Sequence, residues 1–211
     1  GDIYESIPTV NNGIDYNNIN YNFSDYYVGM HYRLKSGIFT LSPGFTAHAY
    51  NSKNSQFSVD YSDSFFKILP DFNAIIQLKK SESIRFNYAM RTQFTDVSKI
   101  AQGLVLNNYN SIFSGDNEIQ NAISHSFNLN YFSFNLFNYT NIFARVSYNK
   151  SIDQIRNLTT FESVVASSSP FNSPFADENF SANGRFQRQF GKIRASLSSG
   201  INFSKFNQYI S

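Results

Sequence analysis

Only 15% of the 211 residues are charged, against about 25% in a typical soluble domain, while 23 Phe and 14 Tyr raise the aromatic share to 18%. A net charge of +2, with Lys and Arg thinly spread, excludes a basic nucleic-acid footprint, and zero Cys excludes disulfides, thiolate metal sites and a Cys nucleophile. No apolar run reaches the roughly 18 residues of a transmembrane helix, and the wealth of aromatic, Asn and Ser residues favours strands.

The chain opens Gly1-Asp2 without Met, which suggests a fragment or a processed product. Residues 1–17 read as a loop or extracellular segment. From residue 18 onward a period of two sets in, the signature of strands with two unlike faces. Ser24 to Leu34 sets Tyr26, Val28, Met30, Tyr32 and Leu34 against Asp25, Gly29, His31 and Arg33. After a turn at Lys35-Ser36-Gly37, Ile38 to Tyr50 alternates Phe39, Leu41, Pro43 and Phe45 with Thr40, Ser42, Gly44 and Thr46. A polar stretch, Asn51 to Asp60, reads as a loop.

Phe65 to Lys79 presents Phe66, Ile68, Pro70, Phe72, Ala74, Ile76 and Leu78 on one side. A turn at Lys80 to Glu82 leads into Ser83 to Phe94, where Ile84, Phe86, Tyr88 and Met90 oppose Arg85, Asn87, Arg91 and Gln93. Alternation lapses over Thr95 to Glu118, resumes in Ala122 to Tyr131, and recurs in Asn141 to Lys150, a strand that could run on towards Phe161. A loop near Val165 to Pro174 precedes Asn179 to Phe190; Gly191-Lys192 turns the chain into the last strand, Ile193 to Phe206.

About eight strands thus share one design, with tight turns alternating with loops of roughly 10 to 20 residues. Their length exceeds the roughly 9 to 11 residues that cross a bilayer, and their polar face holds mainly Asn, Ser, Thr, Gln and Arg, as a wet lumen requires. The expectation is an all-β, antiparallel transmembrane β-barrel, or a section of a larger barrel wall incomplete at both ends, in the outer membrane of a Gram-negative bacterium. A soluble β-sandwich adhesin also alternates, but its strands are shorter and its outer face carries Lys and Glu.

The order of three segments, "ILPDFNAIIQLKKSESIRFNYAMRTQF" (Ile68 to Phe94), "SGDNEIQNAISHSFNLNYFSFN" (Ser114 to Asn135) and "NIFARVSYNKSIDQI" (Asn141 to Ile155), resembles the outer-membrane β-barrel family of Bacteroidota related to TonB-dependent receptors. In that family a Leu-Pro opens a strand, and a Gly-Asn-Pro loop with a Pro-Glu element leads into another. At Gly115 to Asn121 those loop elements are absent. The resemblance implies a barrel of about 22 strands, a plug domain, a TonB-type energiser and uptake of a nutrient, with no covalent chemistry and no cofactor. A non-transporting barrel acting as scaffold or subunit, recruited by a surface lipoprotein or a multiprotein assembly or secretion complex, is the alternative.

Candidate residues follow from the two faces. Arg33, Arg85, Arg91, Arg145, Arg185 and Arg194 fall on the polar side, where they would either meet a plug or an anionic solute or solvate the lumen and pair with acids on neighbouring strands. Phe72, Ile76, Leu78, Ile84, Phe86, Tyr88 and Met90 fall on the lipid side. Tyr26, Tyr32, Tyr50, Tyr88 and Tyr148 read as an interfacial girdle. Asp60, Asp63, Asp116, Glu118, Asp177 and Glu178 fall in or near outward loops, where solvated carboxylates are expected rather than a calcium site. With His31 opposite about Thr40, His48 lies some 25 Å away, at about 3.3 Å per residue, too far to share a metal ion.

Overall fold

The computed structural model describes residues 19–56, 58–101, 105–108, 111–116, 118–162 and 165–207. The expected leading segment, residues 1–17, lies outside them. In chain order the elements are β1 (Ile19–His31), β2 (Leu34–Ser36), β3 (Phe39–Gln56), β4 (Val59–Lys79), β5 (Glu82–Gln93), α1 (Val97–Ile100), β6 (Val105–Asn108), β7 (Ser111–Phe113), β8 (Ala122–Asn135), β9 (Thr140–Ile152), β10 (Ile155–Glu162), β11 (Val165–Asn172), β12 (Asp177–Phe190) and β13 (Ile193–Lys205). No described helix is long and apolar enough to cross a membrane, which says nothing of crossing by strands.

One antiparallel sheet runs β1-β3-β4-β5-β8-β9-β12-β13, with β2 also on β3. The pairs His31↔Gly44 and Lys35↔Thr40 share one register, so β1 and β2 are a single strand and the wall has eight. Pairing lapses at Tyr32 and Arg33, facing Pro43, whose ring nitrogen has no proton to donate. The Tyr32 N–H still donates to the Pro43 carbonyl at 3.0 Å. Tight turns lie at one end of the wall, here the lower end; two of them hold Gly37 at φ 56° and Gly191 at φ 58°, a conformation that glycine adopts without a Cβ clash.

Several boundaries differ from the sequence reading. Asn51 to Asp60 is no loop: β3 runs to Gln56 and β4 begins at Val59, because alternation continues through polar residues once the hairpin leaves any apolar surroundings. Leu69-Pro70 stands inside β4 rather than opening a strand. Strand β9 ends at Ile152, and Ile155–Glu162 belongs to a second sheet of order β10-β11-β7-β6, which also takes up Val165–Asn172. Asp60, Asp63, Asp177 and Glu178 accordingly sit on strands, while Asp116 and Glu118 lie in the segment after β7.

The register converts alternation into rows. On the apolar face, Phe72, Tyr88, Phe127, Tyr148, Phe180 and Phe203 lie opposite one another in one row across six adjacent strands. Two neighbouring ring pairs in that row touch, Tyr88 with Phe127 at 4.8 Å and Phe127 with Tyr148 at 5.9 Å between centroids. Directly above it stand Met90, His125, Lys150, Glu178 and Lys205. Apolar side chains therefore give way to charge within one step. Below it runs Leu41, Ala74, Phe86, Leu129, Val146, Ala182 and Ile201.

The upper limit of the apolar band steps once across the wall. On β1, β3 and β4 it is the level row Tyr26, Ala49 and Phe66; by β8 it has dropped six residues, to the row of Phe72 and Phe127, and it stays level through Tyr148, Phe180 and Phe203.

Large residues on this face are open: Tyr26, Val28, Met30, Phe66, Ile68, Leu197, Ile201 and Phe203 are each more than half exposed. Burying a side chain of this size gains about 1.5–3 kcal/mol, so eight such residues forgo well over 10 kcal/mol in water, as much as the whole stability of a typical domain, about 5–15 kcal/mol. An apolar covering on this face would remove that cost. No second layer of the described residues covers these side chains, so the sandwich arrangement is not what is observed.

Candidate functional site

The other face of the wall is polar, and its rows are as orderly. One reads Ser42, Asn73, Asn87, Asn128, Ser147, Ser181 and Asn202; the next below reads Thr40, Ile75, Arg85, Asn130, Arg145, Asn183 and Gly200. Neighbours in these rows bond to one another: the Asn87 amide donates to Asn73 Oδ1, the Arg145 guanidinium to Asn128 Oδ1 at 3.0 Å, and Ser147 and Ser181 share a hydrogen bond of 2.6 Å. Amides and hydroxyls can donate and accept along a row, so neighbouring polar groups satisfy one another.

Two imidazole–carboxylate pairs sit higher on this face. His31 lies opposite Gly44, not Thr40, and reaches across it so that Nε2 is 2.9 Å from Asp71 Oδ2. A Cβ on Gly44 would stand 2.2 Å from the His31 ring, so the bare backbone there is what lets the ring cross. His48 Nδ1 is 2.9 Å from Asp25 Oδ1. Only four residues separate His48 from Gly44 along β3, so the two histidines are nearer than the assumed hairpin register implied. Each imidazole nonetheless has its own carboxylate, and no cluster of metal-ligating side chains exists among the described residues.

A stack of rings continues upward from His48. Tyr27 and His48 stack at 5.4 Å and His48 and Tyr50 at 5.3 Å, and Tyr50 then meets Phe65 at 4.9 Å and Phe94 at 5.0 Å. Phe23 closes on Phe94 at 4.7 Å. Tyr50 is therefore not part of an outer girdle: it lies on the polar face, 2% exposed, at the centre of an aromatic core. Burial is the main cause that raises the cost of ionising such a phenol, and rings of this kind carry the packing energy of the upper wall.

Phe94 belongs to the segment after β5, and its contacts, with those of Thr95, Ile100, Ile119 and Asn121, place these residues over the polar face of β1, β3 and β4. A cavity of about 250 Å³ between them is lined by Phe23, Asn54, Tyr61 and Phe65 on the wall and by Thr95, Ile100 and Asn121 on the segment. The same segment is tied to the second sheet. Strand β7 pairs in parallel with β11, the Lys99 ammonium donates to Asn157 Oδ1 at 3.0 Å, and Asn172 bridges to Gln120 and to the Asp153 carbonyl. Gly115 donates to the Ala101 carbonyl at 2.8 Å in a site where a Cβ would lie 2.4 Å from that oxygen. Asp96 starts α1 by accepting the Ser98 N–H at 2.8 Å, a bond that holds its carboxyl below the ordinary aspartate range.

The wall parts beside this region. Pairing of β4 with β5 ends at Asp71↔Ala89, although β4 continues against β3 to Val59 and β5 continues against β8 to Gln93. Pro70, unable to donate a hydrogen bond, stands at the point of departure. Beneath it, a cavity of about 680 Å³ is bounded by His31, His48, Asp71, Asn87, Arg91, Asn128, Asn130 and Arg145 among others.

The arginines named from sequence share this face by register: Arg85, Arg91, Arg145, Arg185 and Arg194 pair with Asn130, Ser124, Asn183, Phe143 and Gln189. Arg33 falls where pairing lapses, and alternation sets it between His31 and Lys35. Of the residues assigned to the opposite face, Phe72, Ile76, Ile84, Phe86, Tyr88 and Met90 lie there together, and Leu78 sits at the irregularity between Gln77 and Lys79. Some polar groups on that face pair with one another: Tyr88 and His125 bond at 3.0 Å, and the Tyr148 and Tyr131 hydroxyls donate to Glu178 and Glu82 at 3.0 and 2.7 Å. The two His–Asp pairs and the ring stack escaped sequence reasoning, since they join strands whose register was not yet fixed.

No family model matches the sequence, and no curated protein matches it either. Solved structures do. The FrpB iron transporter of Neisseria meningitidis superposes in two variants: F5-1 with a TM-score of 0.63 over 88% of this chain, and F3-3 with 0.59 over 89%, each at 14% identity. The siderophore receptor PirA of Acinetobacter baumannii overlaps at 0.47 and 9% identity, too little to weigh. The sheet matches a section of a TonB-dependent receptor barrel wall. The chain spans 27% of the length of FrpB, and the narrower attribution to Bacteroidota finds no support in these matches.

Proposed function

We propose that the chain forms part of the wall of an outer-membrane barrel of the TonB-dependent receptor type and takes part in the uptake of a scarce nutrient. The observation that carries this reading is the exposed apolar band, which ends on β8, β9, β12 and β13 at Phe127, Tyr148, Phe180 and Phe203 with charge directly above, and is backed by a face of amides and arginines. Its margins fit a bilayer on one side and water on the other. FrpB, whose barrel the sheet matches, is an iron transporter, and this supports uptake rather than catalysis as the role of such a wall.

In this reading Phe72, Ile76, Leu78, Ile84, Phe86, Tyr88 and Met90 meet lipid, and Arg33, Arg85, Arg91, Arg145, Arg185 and Arg194 line the lumen. A plug domain and a TonB-type energiser are the partners it calls for. Phe94, Thr95, Ile100, Ile119 and Asn121 rest on the polar face, so they narrow the lumen from within. The test is growth of a strain lacking the gene for the full-length protein on limiting nutrient, complemented by the gene with or without residues 95–118. Loss of uptake on deletion, with surface abundance unchanged, is the expected result; undiminished uptake would overturn the reading.

A further inference from the structure

On the polar face, every row below Asp71 lacks a carboxylate among the described residues. Asp25, Asp63, Asp71 and Asp177 all sit at that level or above, and Asp25, Asp71 and Asp177 are each held by His48, His31 or Arg156. Below it the strands of this face carry Arg33, Lys35, Arg85, Arg145, Arg185 and Arg194, none with an acidic partner among the described residues, and Lys79, past the irregularity in β4, pairs with Glu82 at 3.2 Å. Charge of one sign on a wall of limited dielectric focuses a field and draws in the opposite charge.

Two of the arginines are set as a pair. Arg85 and Arg145 both lie opposite Asn130, one from each side, so their backbones are two strand spacings apart, about 10 Å. Asn128, one row above, accepts a hydrogen bond from Arg145 and so fixes the direction of its guanidinium. Asn128, Asn130 and Arg145 also border the cavity of about 680 Å³, which suits a small solute. Guanidinium groups bind oxyanions through paired N–H donors, and the intervening amides add neutral donors between them.

Resting on the reading of this face as the side of a solute path, we infer that Arg85 and Arg145, with Asn130 between them, form a site for an anionic solute bearing carboxylate or phosphate oxygens. Inorganic phosphate is the simplest probe of that chemistry. Equilibrium dialysis of the full chain in detergent micelles at low ionic strength against labelled phosphate should give saturable binding. Arg85→Gln or Arg145→Gln should weaken it by about tenfold each, and the double variant should abolish it. Arg194→Gln, about 20 Å down the wall from Arg145, should change it less than about twofold.

Heat-modifiable migration on a gel identifies folded variants, so a failure to fold is read separately. Equal phosphate binding by the folded double variant, or none by the folded parent, overturns the site. The growth assay reads transport independently. Uptake retained with no phosphate binding sinks the anion site alone, whereas binding lost with Arg85→Gln and Arg145→Gln upholds it even where the deletion of residues 95–118 leaves uptake intact.

Discussion

Below the row of Asp71 the wall is a continuous ladder from β3 to β13, while above it the β3–β4 hairpin leaves β5 and two long segments knit themselves into a second sheet. The lower region obeys one rule. Its side chains alternate, the backbone groups of its inner strands are spent on neighbouring strands, and one face is mostly apolar, with Glu82, Ser133, Arg188 and Ser199 as exceptions, a combination that suits a hydrocarbon medium. In the proposed setting the upper region lies outside such a medium, and it packs instead through an aromatic core around Tyr50 and through side chains that bond to backbone, such as Asn172 and Asp96. The same chain thus uses two ways of satisfying its polar groups, divided by depth.

A charge in the middle of the apolar band should separate the two regions most. Leu129→Arg should cost about 2–4 kcal/mol in urea unfolding from lipid bilayers, whereas Asn128→Arg, one residue away on the polar face, should cost less than about 1 kcal/mol. Equal costs would break the distinction between the faces. Next in size is Gly115→Ala, whose Cβ meets the Ala101 carbonyl at 2.4 Å. It should destabilise by about 1–3 kcal/mol, seen as faster proteolysis within residues 94–121 with the lower ladder still protected.

Asn172→Ala removes one acceptor and two donations that tie the segments together. A loss of about 1–2 kcal/mol is expected, and hydrogen exchange should rise in β7 and β11 but not in β8 or β9. Smallest is Gly44→Ala, which should push His31 off Asp71. That pair is partly exposed, so the change should stay within about 1 kcal/mol, and the shifted imidazole resonance of His31 is the readout. Asp96 adds a pH term: its carboxyl is held low by the Ser98 N–H, so its contribution is present at neutral pH and fades as pH falls through its folded range.

Much of the lower region was legible in the sequence because a period of two survives wherever one face meets an apolar medium. Ile84, Phe86, Tyr88 and Met90 against Arg85, Asn87 and Arg91 needed no partner strand to be sorted. Rows needed the register, and register depends on turns: assigning His31 to Thr40 instead of Gly44 hid the bond to Asp71 and misplaced His48. Tyr50 was misread because its residue type suggested an interface, although alternation from Ala49 already set it on the polar side. The parallel pairing of β7 with β11 joins residues more than fifty positions apart through polar stretches, where no periodicity announces a partner. Asn51 to Asp60 looked like a loop for the same reason, since a strand in water has no need of apolar residues.

The division into a lipid face and a water face is tested most directly by accessibility along β5. The chain has no Cys, so a spin label can be introduced singly at each position from Ser83 to Gln93 in the full chain reconstituted into lipid. Collision with oxygen should peak at Ile84, Phe86, Tyr88 and Met90, and collision with a water-soluble nickel complex at Arg85, Asn87, Ala89 and Arg91. Nickel access that is equal at both sets of positions would contradict the account.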